Sequence, residues 1–98
     1  MDRIDLQRTA VALPQAWQSR VLARIGSANV KVLRMDGSAY PAETHAYAEG
    51  LLVLDGELRL EVEGAPVTVR AGELYTVPAG VPHAVAPGST GVLVILDC

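Results

Sequence analysis

Ninety-eight residues are enough for one domain and leave little room for a second. Half of them are hydrophobic and 19% are charged, a balance that excludes an intrinsically disordered chain. The formal charge is −3 and the eight Lys and Arg residues are scattered singly, so there is no basic stripe for nucleic acid or an anionic membrane surface.

Cys98 is the sole cysteine, which rules out an intramolecular disulfide and a cysteine-based zinc site. The first residues lack the basic start and apolar stretch of a signal peptide. No apolar run approaches the roughly 18–20 residues of a membrane-spanning helix. The expected location is the cytoplasm. The core has to be built from Val, Leu, Ile and Ala, because Trp17, Tyr40, Tyr47 and Tyr75 are the only aromatic residues.

Residues 1–19 form an N-terminal segment expected to pack on or beside the domain that follows, with one helical turn over Pro14–Gln18. From residue 20 to 98 the pattern is one of short strands. Arg20–Ile25 and Val30–Met35 flank Gly26-Ser27-Ala28-Asn29. Leu51–Leu54 and Glu57–Glu63 flank Asp55-Gly56, a pair that predicts a hairpin because glycine takes positive φ without penalty. Glu57–Glu63 alternates: Leu58, Leu60 and Val62 share one face, Arg59, Glu61 and Glu63 the other. Val67–Arg70 repeats the alternation. Tyr75–Val77 and His83–Ala86 follow, joined through a Pro- and Gly-rich turn. Val92–Leu96 has no polar position and is expected to be covered on both sides. Strands at this spacing with no long helical pattern predict an all-β sandwich or barrel.

Two segments set ligand-type residues among these strands. The first carries Glu43, His45 and Glu49. Strand residues two apart share a face about 7 Å apart, so Glu43 and His45 can aim at one ion. Glu49 is reached along a continued strand or across a turn at Ala46-Tyr47-Ala48. The second segment carries His83, which barrel closure would bring close. His45 and His83 are the only histidines. The three tyrosines read as packing residues first, and as pocket walls or hydrogen-bond donors second.

These segments resemble the two motifs of the cupin superfamily. The first, G-x5-H-x-H-x3-4-E-x6-G, is met at Gly37, His45, Glu49 and Gly56. The second, G-x5-P-x-G-x2-H-x3-N, is met at Gly72, Pro78, Gly80 and His83. Glu43 stands where the family has its first histidine, and Pro87 where it has asparagine. The resemblance implies a single RmlC-like antiparallel β-barrel, or jelly roll, and a homodimer. It also implies a divalent metal, Mn, Fe, Ni or Zn, held by Glu43, His45, Glu49 and His83. A second carboxylate favours hard ions such as Mn²⁺ or Fe²⁺.

Two functions follow as expectations. One is a metal-dependent oxygenase or isomerase acting on a small organic molecule. The other is a non-catalytic barrel that binds or senses a small ligand, with or without metal. A metal-free epimerase-like reaction with His45 as base is a weaker third. Leu51–Leu54 and Val92–Leu96 are apolar on both faces, which a second subunit or the N-terminal segment would explain.

Overall fold

A computed structural model describes residues 2–98. One helix, α1 (Leu6–Val11), precedes eight strands: β1 (Arg20–Ile25), β2 (Ala28–Asp36), β3 (Tyr40–Glu43), β4 (Glu49–Val62), β5 (Ala65–Arg70), β6 (Leu74–Val77), β7 (His83–Val85) and β8 (Thr90–Asp97). Every pairing is antiparallel. The sheet runs β1-β2-β8-β4-β7-β3, with β5 and β6 also paired to β4. The sheet curls around its own apolar face, where Leu33, Leu51, Val53, Leu58, Leu60 and Leu93 form the core. This is the all-β barrel that the strand spacing predicts, in the jelly-roll form that the resemblance implies.

β4 organises the molecule. Its first half pairs with β6 and β8, its second half with β5 and β7. The hairpin expected at Asp55-Gly56 is absent: the strand runs straight through, with a bulge between Val53 and Asp55. Gly56 does take positive φ (77°), and so does Gly91 opposite it (103°). The two backbones approach so closely that a Cβ on Gly56 would lie 1.9 Å from the Thr90 carbonyl oxygen. The positive φ that sequence pattern assigns to a reversal instead bends one long strand around the barrel. The true reversal after β4 is Glu63-Gly64, a two-residue loop in which both residues have positive φ (50° and 80°), the requirement of a type I′ turn.

The helix lies earlier than the sequence suggests. Asp5 caps α1, its carboxylate accepting the Arg8 N–H at 2.9 Å, and Thr9 Oγ1 donates to the Asp5 carbonyl at 2.7 Å. Residues 14–18 are irregular turns, with Trp17 at φ 67°, a value no right-handed helix accepts. Trp17 N–H donates to the Arg34 carbonyl, and the Arg34 guanidinium donates to the carbonyls of Leu13 and Pro14. These bonds tie the segment to β2.

Ala10 and Leu13 then cover Val32, Val92 and Val94 on the outer face of the sheet, while Leu93 faces the barrel core. The last strand is therefore buried on both sides by its own chain. Leu54 and Leu74 remain exposed on the outer surface of β4 and β6. No helix among the described residues is long and apolar enough to cross a membrane.

Candidate metal centre

β7 lies between β3 and the second half of β4, and its register sets His83 opposite both Glu43 and Val62. Glu43 ends β3. His45 is not on that strand, as the two-residue spacing suggests, but in the loop beyond it. The loop is held from the other motif: Gly80 N–H donates to the His45 carbonyl at 2.8 Å. Residues 46–47 bend the chain, and Glu49 opens β4. The glycine- and proline-rich turn that precedes His83 thus anchors the loop that carries His45.

The side chains converge. His45 and His83 have ring centroids 5.2 Å apart. His45 Nε2 lies 3.3 Å from Glu43 Oε2 and 3.8 Å from Glu49 Oε1, and His83 Nε2 lies 2.8 Å from the same Glu49 oxygen. Glu43, His45 and His83 each offer a ligand atom within 4.8 Å of the others. Glu49 stands against both imidazoles. Burial is graded, from 8% side-chain exposure at His83 and 10% at Glu49 to 21% at His45 and 42% at Glu43.

Hydrogen bonding orients the most buried ligand candidate. His83 Nδ1 lies 3.0 Å from the Val81 carbonyl oxygen, which can only accept, so Nδ1 carries the hydrogen. A neutral imidazole then presents the lone pair of Nε2 to a carboxylate oxygen 2.8 Å away. Two lone pairs facing at that distance repel unless a proton or a metal cation sits against both. Ligands about 2.1 Å from an ion and at right angles are about 3 Å apart, the separation seen here. A backbone carbonyl on the far ring nitrogen is also the usual support of a metal-bound histidine. The donor set therefore fits a divalent cation.

The cluster opens on a cavity of about 200 Å³. Its walls are mixed, with Leu51, Leu58, Leu60, Val85, Leu93 and Ile95 forming an aliphatic part alongside the aromatic and charged groups. Tyr40 and Tyr47 line it too, so they are not simple packing residues. Tyr47 stacks on His45 with centroids 5.0 Å apart and planes 10° from parallel. Trp17 completes the wall against Tyr40, 5.9 Å between centroids.

The sequence pattern misses two charged residues in this cavity. Lys31, one of the scattered cations expected on a solvated surface, points inward from β2 and pairs with Asp97 of β8 at 2.7 Å. Asn29 Nδ2 donates to the other Asp97 oxygen at 3.2 Å. Asp97 is also the direct cross-strand partner of Glu49. The one available signal is the polar Asp97 at the end of an otherwise apolar strand.

The chain matches the family described as "Cupin domain" over residues 32–98. It belongs to the cupin family. Among solved structures it is similar to a cupin-2 domain protein of Shewanella frigidimarina, with a TM-score of 0.85 and 26% identity over 95% of this chain and 91% of that one. Protein NMB1881 of Neisseria meningitidis gives a TM-score of 0.84 and 25% identity over 98% of both chains. A curated relative, quercetin 2,3-dioxygenase of Bacillus subtilis, is 42% identical over 48 residues, which are 48% of this chain. The matched stretch is only 14% of that relative's length.

Proposed function

We propose that Glu43, His45, Glu49 and His83 hold a divalent first-row metal ion, and that this cupin acts on a small organic molecule in the adjoining cavity as a metal-dependent oxygenase or isomerase. One observation carries the reading: the Nε2 of His83, its Nδ1 committed to a carbonyl, faces a carboxylate oxygen at 2.8 Å. Cavity charge supports it. Glu43, Glu49 and Asp97 face a single ammonium, Lys31, so neutral histidines leave two negative charges for a divalent cation to balance.

When bound, such an ion polarises a substrate oxygen or activates water and, if iron, binds dioxygen. The chain's own groups do the rest. His83 and Glu49 are the buried, oriented pair. Tyr47 fixes the ring plane of His45 by stacking. Glu43, the most exposed of the four, would be the group to pass protons between cavity and solvent where the ion leaves it unligated. A cavity of about 200 Å³ suits a compact ligand, since an apolar cavity of about 150 Å³ accommodates benzene. The partial likeness to a quercetin dioxygenase favours the oxygenase side.

Calorimetric titration of EDTA-stripped protein with Mn²⁺, anaerobic Fe²⁺ and Zn²⁺ tests the reading. One equivalent should bind, and Glu49→Gln should weaken affinity about 10–100-fold. Glu43→Gln should cost less, because its carboxylate is the more solvated. Absence of binding by all three ions would refute the metal centre.

The protein also acts, in this reading, as a homodimer. Leu54 and Leu74 are 39% and 55% exposed on the outer sheet, and a second copy would bury them. Light scattering should give twice 10.3 kDa. A monomer at all accessible concentrations would remove the dimer.

A further inference from the structure

Lys31 is the sole Lys or Arg among the described residues that line the cavity. It stands between polar and apolar wall: Leu33 follows it on the same strand face and Ile95 is its register partner on β8, while Asn29 and Asp97 lie one row away. Burying an ion pair in such a wall is a poor way to stabilise a barrel, because well-packed apolar side chains do as well or better. The pair is also asymmetric. Lys31 keeps 22% of its side chain accessible, while Asp97 keeps 4%.

Both Asp97 oxygens are committed, one to Asn29 and one to Lys31. The ammonium has three N–H donors, and the bond to Asp97 uses one. The cavity is thus offered a held cation more accessible than its counter-carboxylate, both lining the same wall. Asp97 is the cross-strand neighbour of Glu49, so the carboxylate that holds Lys31 stands on the strand between Lys31 and the His83–Glu49 pair.

We propose that Lys31 is the specificity-determining residue of the cavity, binding a carboxylate on the substrate, with Asp97 and Asn29 as its positioning residues. This rests on the reading of the cavity as a small-molecule site and narrows its ligand to a short organic acid. One end of that acid lies at the His45–His83 cluster, and its carboxylate lies on the two free Lys31 donors.

The test compares pyruvate with its neutral counterpart pyruvamide, titrated into the protein and followed by amide NMR. Zinc-loaded and EDTA-treated samples are both used. Zinc-loaded wild type should bind pyruvate at least tenfold more tightly than pyruvamide. Lys31→Met should erase that preference while leaving pyruvamide affinity within about twofold. Asp97→Asn, which removes the masking charge and keeps the ammonium, should widen the preference threefold or more. The double variant Lys31→Met/Asp97→Asn keeps the pair neutral and reports the same loss of preference if Lys31→Met alone does not fold.

Equal affinities in wild type, a preference that survives Lys31→Met, or one that Asp97→Asn abolishes would overturn the inference. Failure of the metal centre is read separately. Wild type that takes up no zinc refutes that centre, and the fall in the pyruvate-to-pyruvamide ratio from wild type to Lys31→Met in EDTA-treated samples still decides the role of Lys31.

Discussion

At the scale of single residues, the behaviour of a side chain is set by what its hydrogen bonds leave free. His83 shows this at the cavity, where one carbonyl fixes which ring nitrogen faces Glu49. Asp36 shows it at the rim. The Ser38 hydroxyl, the Ser38 N–H at 3.1 Å and the Trp17 indole at 2.8 Å all donate to its carboxylate. They hold its pKa down, from an ordinary 3.8 to about 2, with the Ser38 hydroxyl contributing most.

Because the folded value lies below the unfolded one, ionised Asp36 favours the fold fully above pH 3.8. That contribution is lost as the pH falls to about 2. Ser38→Ala should raise the Asp36 titration midpoint toward 3.8, measured on its carboxyl carbon by NMR, and the Trp17 indole proton should report the same midpoint. An unchanged midpoint would mean that Ser38 does not hold the carboxylate.

At the scale of elements, the fold depends on β4 bending without breaking. Gly56→Ala places a methyl group into the Thr90 carbonyl at positive φ, so it should cost about 3 kcal/mol or more in chemical denaturation. Gly26 also has positive φ but meets nothing within 4 Å, and Gly26→Ala should cost only about 1 kcal/mol. Equal costs would show that the β4–β8 approach is not what constrains Gly56. Leu13, 5% exposed beneath α1, should cost about 2–4 kcal/mol on truncation to Ala. A negligible cost would mean that the segment adds nothing to the sheet.

The same contrasts explain what the sequence disclosed. Alternation over Leu58, Leu60 and Val62 is a local pattern, and the strand follows it. Asp55-Gly56 is ambiguous because a hairpin and a bulge demand the same positive φ, and only the partner strand distinguishes them. His83 is legible through its motif. Its alignment with Glu43 is a matter of register between strands forty residues apart, visible only after folding. Lys31 is invisible for a related reason. Its neighbours Val30 and Val32 face outward under Leu96 and α1, reversing the usual rule that the polar residue of an alternating strand faces water. A six-residue helix hides that outer face, and nothing in the strand itself announces the helix.

At the scale of the whole molecule, a 98-residue barrel gains much from any ligand that binds only its folded form. Metal at a hundredfold excess over its dissociation constant stabilises by about 2.7 kcal/mol. For a domain of this size that corresponds to a rise in Tm of roughly 10–20 °C. Thermal unfolding of stripped protein with and without Mn²⁺ should show the rise, and His45→Ala/His83→Ala protein should not. A similar rise in the variant would place the ion elsewhere.

The most direct measurement is elemental analysis of protein purified without a histidine tag, wild type beside His45→Ala/His83→Ala. Wild type should carry close to one equivalent of a first-row divalent metal, and the variant should lose it. Trace, equal amounts in both would contradict the metal centre.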